Sequence, residues 1–160
     1  MKHIINISEL EFKPSPAPMP DSVKAKYEGS TLGWVGPLVG AQKLGYNVTI
    51  VPPGKRAFPL HSHRVNEEMF FILEGQGEIR IGKETLPVKQ GDFIACPPGN
   101  AETAHQIINT SEATLRYLAV STKLSPEIAD YPDSGKFGIL ADDFRFLGKT
   151  DQSLGYWDGE

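Results

Sequence analysis

Residues 54–75 read Gly-Lys-Arg-Ala-Phe-Pro-Leu-His-Ser-His-Arg-Val-Asn-Glu-Glu-Met-Phe-Phe-Ile-Leu-Glu-Gly. The segment contains His61 and His63 one residue apart, followed by an acidic pair, Glu67 and Glu68. Side chains alternate along an extended strand, so both imidazoles of a His-x-His triplet point to the same face. Two imidazoles and a carboxylate are a donor set that holds a divalent metal ion with coordination positions left open. The segment therefore predicts a metal site rather than a polar surface loop.

The length, the net charge and the cysteine count limit the class of protein. A chain of 160 residues suggests one domain, residues 1–160, that is long enough to bury a core. Sixteen Lys plus Arg against twenty Asp plus Glu give a net charge of −4, without a basic stretch, so nucleic acid is not an expected partner. The single cysteine, Cys96, cannot form an intramolecular disulfide, which fits a reducing compartment. Its apolar neighbours favour a small buried side chain over a nucleophile.

The N-terminus has no pattern of a secretory signal, because Asn6, Ser8 and Glu9 interrupt its apolar run. No apolar run in the sequence approaches the length of a transmembrane helix. We therefore expect a soluble, cytoplasmic protein with no membrane partner.

The middle of the chain consists of short apolar segments separated by turns. Sixteen glycines and thirteen prolines are spread along the sequence, and residues 44–122 show no sustained apolar period of 3.6. Strands are expected at residues 44–51, 68–74, 78–81, 85–88, 93–96, 105–109 and 113–120. Seven or more short strands joined by Gly and Pro turns predict an all-β fold, a closed barrel or a jelly roll.

The flanking segments are less regular. Four prolines in residues 14–20 favour an arm that covers a surface, although a recognition motif for a partner is an alternative. Trp34 and Leu38 are expected to pack as anchors. Residues 125–129 are expected to open one helical turn, with serine as the cap and proline at the first position. Residues 131–160 are expected to form an ordered tail over the barrel, anchored by Phe137, Phe144, Phe146 and Trp157.

A second histidine segment begins at His105, about forty residues after His63. In a barrel, inward-facing polar residues of different strands converge, so His105 is expected to join the first segment's donors. Burying three imidazoles and a carboxylate without partners would cost free energy, and a metal ion removes that cost.

The first segment resembles the first motif of the cupin family. That motif has a glycine, a His-x-His triplet, a glutamate, six further residues and a second glycine. The matching positions are Gly54, His61, His63, Glu68 and Gly75. The count back from the second glycine selects Glu68 over Glu67 as the metal ligand.

The second segment resembles the second cupin motif through Gly91, the run 97–99 (Pro-Pro-Gly), His105 and Asn109. It departs from the family pattern in one spacing, because five residues separate Gly99 from His105 where the family pattern has two between the glycine and the histidine. At the strict spacing the histidine position holds Glu102. Either the loop is longer and His105 still reaches the metal, or Glu102 contributes. The intact spacing from His105 to Asn109 favours His105.

The resemblance implies a cupin-type jelly-roll β-barrel, also called a double-stranded β-helix. Its core would span about residues 44–122, with an N-terminal arm, 1–43, and a C-terminal tail, 123–160, packed outside. It also implies a homodimer and one divalent metal ion (zinc, manganese, nickel or iron). The implied ligands are His61, His63, Glu68 and His105.

The whole chain resembles small single-domain cupins provisionally described as sugar phosphate isomerases. The resemblance implies an isomerase or epimerase of a small sugar or sugar phosphate. Because Glu68 would be committed to the metal, proton transfer would fall to Glu67, Glu102 or Tyr117. For Glu102, a solvated loop carboxylate is the alternative.

Two other classes of function fit the same motifs. An Fe(II)-dependent dioxygenase would use the same ligands and an apolar pocket, which Phe58, Phe70 and Tyr117 can supply. A non-catalytic, metal-dependent protein that binds a small ligand would have no proton-transfer group near the metal. The cupin fold itself does not decide between these functions.

Overall fold

The structure is a computed structural model that describes residues 2–160. It contains twelve strands and one short helix, α1, at Asp21–Tyr27. The strands are β1 Thr31–Trp34, β2 Leu44–Val51, β3 Ser62–His63, β4 Glu68–Glu74, β5 Gln76–Ile81, β6 Glu84–Lys89, β7 Phe93–Cys96, β8 His105–Ile108, β9 Leu115–Thr122, β10 Glu127–Tyr131, β11 Lys136–Leu140 and β12 Arg145–Lys149. Single 3-10 turns lie at Ile7–Glu9, Gly36–Val39 and Pro132–Ser134.

The strands form three antiparallel sheets. A five-stranded sheet has the order β1-β2-β9-β4-β7, a three-stranded sheet has the order β6-β5-β8, and a four-stranded sheet has the order β12-β11-β10-β3. Strand β9 lies between β2 and β4 in the sheet, although β2, β4 and β9 are not consecutive strands in the sequence. This arrangement confirms the expected all-β, jelly-roll architecture.

The core lies between the inner faces of the five-stranded and the three-stranded sheets. It is one cluster made of Val51, Phe70, Ile72, Ile79, Val88, Cys96, Ile107, Leu115, Tyr117 and Ala119. Alternate residues of each strand enter this cluster, as Phe70 and Ile72 do from β4, because side chains change face at every residue. Cys96 is 3% exposed and packs in the core, as its apolar surroundings predicted.

Two expectations for the flanking segments are wrong. Residues 125–129 do not form a helical turn, because β10 begins at Glu127 and pairs with both β3 and β11. Trp34 and Leu38 are not buried anchors, since they are 52% and 48% exposed. Sequence reasoning took them as anchors from size alone, and size does not decide which face of a segment meets the core.

The C-terminal segment is more regular than its sequence indicated, because β10, β11 and β12 form consecutive antiparallel pairs. Phe137, which is half-buried, packs against Phe146 with ring centroids 5.6 Å apart, but Phe146 is 45% exposed and so is not a buried anchor. Phe144 and Trp157 are 52% and 77% exposed, so they do not anchor the segment. Among residues 2–160, no helix is long and apolar enough to cross a membrane.

Candidate metal centre

The structure brings His61, His63, Glu68 and His105 together at one end of the core. One ligand atom from each side chain lies within 4.8 Å of the others. The three Nε2 atoms surround a single carboxylate oxygen, Glu68 Oε2, at 3.8 Å from His61, 3.5 Å from His63 and 2.9 Å from His105. The cluster predicted from two separate sequence motifs therefore exists as one site.

Backbone pairing places these side chains. His61 and His105 form an isolated antiparallel bridge, with backbone N···O distances of 3.2 and 2.8 Å. His63 lies in β3, two residues after His61, so its imidazole shares the face of His61. Glu68 begins β4 and pairs across to Cys96 of β7 and Ser121 of β9. Three strands, β3, β4 and β8, and the bridged residue before β3 thus fix the relative positions of the four donors.

Two of the imidazoles are oriented by the backbone. The carbonyl oxygen of Pro59 lies 2.9 Å from His61 Nδ1, and that of Thr103 lies 3.2 Å from His105 Nδ1. A carbonyl accepts a hydrogen bond, so these contacts favour the tautomer with the proton on Nδ1. The Nε2 lone pair of each ring is then free to bind a metal ion.

Burial and neighbouring groups put two of the donors, His61 and Glu68, in the protonation states that a metal ion requires. Burial, and then the adjacent His105, lower the pKa of His61 to about 4, so this ring is neutral at pH 7. Burial opposes ionisation of Glu68, but the adjacent imidazoles of His105 and His63 outweigh it and hold the pKa of Glu68 well below its usual range. For His63, burial also opposes the charge, but Glu68 and Glu127 raise its pKa.

The site contains polar atoms that protein groups alone do not satisfy. Within residues 2–160, neither ring nitrogen of His63 has a hydrogen-bond partner, although both nitrogens are buried. Its Nε2 faces Glu68 at 3.5 Å, which is too long for a good hydrogen bond. Three imidazoles and a carboxylate are donors suited to zinc, manganese, nickel or iron. The residues present therefore fit a divalent metal ion that His61, His63, Glu68 and His105 would hold.

The longer loop before His105 closes on itself. Asn100 Oδ1 accepts a hydrogen bond from the backbone N–H of Glu102 at 2.8 Å, and the Asn100 carbonyl accepts one from the N–H of Thr103 at 3.1 Å. The three extra residues are thereby absorbed in a turn, and the chain returns to His105 in register. His105, and not Glu102, therefore reaches the cluster, although the spacing before it is longer than in the family pattern.

The three residues considered for proton transfer lie outside the four-residue cluster. Glu67 and Glu102 are exposed, and Glu102 lines a cleft of ≈ 450 Å³ beside Tyr131. Tyr117 is 2% exposed, its ring packs edge-on against Phe70, and burial raises its pKa well above the usual range.

A cavity of ≈ 290 Å³ opens onto the cluster at His63 and Glu68. Its wall includes Lys123, the exposed Leu124 and, from the C-terminal sheet, Leu140. Its remaining lining residues are Asn66, Ser121, Thr122, Ser125, Glu127, Ala141 and Asp142. A small polar molecule therefore has room beside two of the four donors.

Sequence reasoning missed Glu127, a buried carboxylate that lies 3.5 Å from His63 Nδ1. The local sequence contains little signal, because residues 127–131, Glu-Ile-Ala-Asp-Tyr, do not alternate between apolar and polar residues. The preceding Ser-Pro pair, which is common at the start of a helix, favoured a helical turn instead.

Comparison with known proteins shows which family the middle of the chain resembles. Residues 47–121 match the family model described as the cupin domain. This region therefore has the sequence of a cupin domain, which agrees with the jelly-roll arrangement of the strands. It is 40% identical over 72 residues to an uncharacterized protein of Methanocaldococcus jannaschii, and 34% identical over 70 residues to an oxalate-binding protein of Thermotoga maritima. These matches cover 45% and 44% of this chain, and the chain spans about half, 54%, of each relative.

Solved structures agree with the fold. A protein of Acidithiobacillus ferrooxidans, provisionally described as a sugar phosphate isomerase, aligns with a TM-score of 0.71 and 26% identity over 78% of this chain and 80% of its own. A protein of Silicibacter pomeroyi, described as a sugar phosphate isomerase of the cupin superfamily, aligns with a TM-score of 0.84 over 97% of this chain and 98% of its own. Its identity of 22% establishes a common fold alone.

Proposed function

We propose that this protein binds one divalent metal ion through His61, His63, Glu68 and His105, and isomerises or epimerises a small sugar or sugar phosphate beside it. The observation that supports this proposal best is the convergence of three imidazoles on one oxygen of Glu68, next to an open cavity. The provisional description of the Acidithiobacillus ferrooxidans protein suggests the substrate class.

When bound, the metal would polarise a carbonyl or hydroxyl group of the ligand. The chain would supply the group that moves a proton between adjacent carbons, for which Glu67, Glu102 and Tyr117 are the candidates. Glu67 is exposed and adjoins Asn66 and Glu68, both of which line the cavity, so it is the first candidate to test. Glu102 would have to approach from the separate cleft beside Tyr131, and Tyr117 would have to become accessible to the ligand, because it is buried against Phe70.

Two alternatives each have some support. Rings of Phe70 and Phe58 lie 5.5 Å from His105 and 6.3 Å from His61, an aromatic lining that suits an Fe(II)-dependent dioxygenase. A non-catalytic, metal-dependent binding protein is suggested by the Thermotoga maritima relative, which is described as an oxalate-binding protein. In all three cases we expect a small-molecule ligand and no nucleic-acid partner.

Metal analysis of protein purified without chelator tests the metal centre. We expect about one zinc, manganese, nickel or iron ion per chain in the wild type. The His61→Ala, His63→Ala double variant should lose the ion, whereas His3→Ala, which removes an exposed histidine outside the cluster, should retain it. Unchanged metal content in the double variant would disprove the proposed centre.

An activity screen separates the three functions. Interconversion of aldose and ketose phosphates, followed by NMR, supports the isomerase, and loss of turnover in Glu67→Gln or Glu102→Gln would identify the proton-transfer group. Bound iron with oxygen uptake supports the dioxygenase. Ligand binding without turnover of any sugar phosphate or uptake of oxygen supports the binding protein. The expected homodimer is checked by light scattering.

A further inference from the structure

Glu127 is the most heavily hydrogen-bonded carboxylate beside the metal centre, and it is not one of the predicted ligands. It is 4% exposed. Its Oε1 accepts hydrogen bonds from the backbone N–H groups of Arg64, Val65 and Ile128 at 2.9, 3.1 and 2.8 Å. Its Oε2 accepts from the backbone and side-chain N–H groups of Asn66. A buried carboxylate is stable in its charged form when this many donors surround it.

The same carboxylate lies behind His63. Strand β10 pairs with β3 so that Ala129 is opposite His63, and Glu127, two residues earlier, shares the face of Ala129. Its Oε2 lies 3.5 Å from His63 Nδ1, on the side of the ring away from Glu68, so Glu127 and His63 interact through charge at a distance longer than a hydrogen bond.

The three imidazoles of the cluster therefore share one arrangement. Each has an oxygen facing Nδ1 and Glu68 facing Nε2. For His61 and His105 the oxygen belongs to a backbone carbonyl, whereas for His63 it belongs to a side chain, Glu127. His63 is thus the donor whose orienting group is a side chain, which a substitution can remove.

We propose that Glu127 is a positioning residue of the metal centre, which keeps the proton of His63 on Nδ1 and so presents Nε2 to the metal. This inference rests on the proposed function. Glu127 itself is not a ligand, because both its oxygens are engaged by N–H groups and the imidazole of His63 separates it from Glu68. Residues that orient a metal ligand in this way typically strengthen metal binding about 10–100-fold.

Asn66 holds Glu127 in place and ties it to the cavity wall. Beside its two bonds to Glu127, Asn66 accepts hydrogen bonds from Thr122 Oγ1 at 2.8 Å and from the N–H of Leu124 at 2.7 Å. Its Nδ2 also donates to the carbonyl of Leu124 at 3.0 Å. The network joins the turn after β3, the end of β9 and the start of β10, all of which border the cavity.

A double-mutant cycle tests the proposal. The affinity for Zn²⁺ is measured by chelator competition in the wild type, Glu127→Gln, His63→Ala and the double variant. We expect Glu127→Gln to weaken binding about 10–100-fold when His63 is present, and less than about threefold when it is absent. Asp130→Asn is the matched control, since it removes a carboxylate from the same strand on the opposite face, and it should leave Zn²⁺ affinity unchanged.

The outcomes separate positioning from a purely structural role. If Glu127→Gln lowers the affinity for Zn²⁺ equally with and without His63, Glu127 only holds the loop. If Glu127→Gln leaves the affinity unchanged, Glu127 has no role. Either result overturns the proposal.

Nitrogen-15 NMR of the metal-free wild type at pH 9 gives an independent readout that needs no variant and no metal. A neutral His63 protonated on Nδ1 supports the proposal, and protonation on Nε2 overturns it. Failure of the wild type to bind Zn²⁺ would refute the proposed function, while the NMR result would still decide the role of Glu127.

Discussion

Single residues carry both the chemistry and the sharpest constraints on this fold. The carboxylate of Glu68 faces three imidazoles with one oxygen, and its low pKa keeps it ionised, which is the state that metal binding would require. The prediction of Glu68 over Glu67 rests on the number of residues that separate Glu68 from Gly75 in the sequence. The structure agrees with it, because Glu68 opens β4 facing the cluster while Glu67 is exposed.

Gly75 is required by both its backbone angle and its surroundings. Its φ is +84°, and a Cβ at this position would lie 2.4 Å from the carbonyl oxygen of Thr114. We expect Gly75→Ala to lower the free energy of unfolding by about 3 kcal/mol or more, because strain and a backbone clash add. Gly91→Ala is the control: its φ is +94° but no atom lies within 4 Å, so a loss of about 1–2 kcal/mol is expected from strain alone. Equal losses in urea unfolding would contradict the steric argument.

Cys96 should be chemically inert in the folded protein. Burial, and then the nearby charge of Glu68, raise the pKa of its thiol to about 12, and only the thiolate is an effective nucleophile. We expect no reaction with a chromogenic disulfide reagent at pH 8, and one thiol per chain to react once denaturant unfolds the protein. Rapid labelling of the native protein would contradict this prediction.

At the scale of elements, the C-terminal strands complete the site. Strand β10 pairs with β3, which carries His63. It supplies Glu127 at its start, beside His63, and Tyr131 at its end, where the ring of Tyr131 lies 6.2 Å from that of His61. The segment after residue 122 is therefore part of the architecture around the metal centre. A second contact joins this segment to the three-stranded sheet, through a bidentate pair between Arg80 of β5 and Asp133.

The Arg80–Asp133 pair should make stability depend on pH. Hydrogen bonding to Arg80 holds the pKa of Asp133 below its ordinary value, so its contribution is present above the unfolded pKa of about 3.9 and is lost as the pH falls through the lower folded value. Because the pair is partly exposed, we expect Asp133→Asn to cost at most about 1 kcal/mol at pH 7. The cost, measured by urea unfolding, should vanish at low pH and shrink in high salt. Asp151→Asn, at an exposed carboxylate, is the control, and a cost that persists at pH 2 would contradict the assignment.

At the scale of the whole molecule, metal binding should couple to stability, because the four ligands come from β3, β4, β8 and the segment before β3. A ligand at 100 times its Kd stabilises a protein by about 2.7 kcal/mol. For a chain of this size that corresponds to a rise in Tm of about 5–10 °C. We expect EDTA to lower the Tm by this amount and added Zn²⁺ to restore it, with no response in His61→Ala, His63→Ala. A Tm that is insensitive to chelator would contradict the coupling.

The sequence by itself indicated the strands of the core and three of the four donors, His61, His63 and Glu68. Strand alternation puts His61 and His63 on one face, and glycines at fixed positions mark turns that other residues tolerate poorly, so both signals are local. Only the tertiary structure decided that His105 enters the cluster despite its longer loop, and that Glu127 lies behind His63 from sixty-four residues away. It also decided that Trp34 and Leu38 remain half exposed. Local preference left these points open, because pairing partners and burial depend on contacts between segments that are distant in the chain.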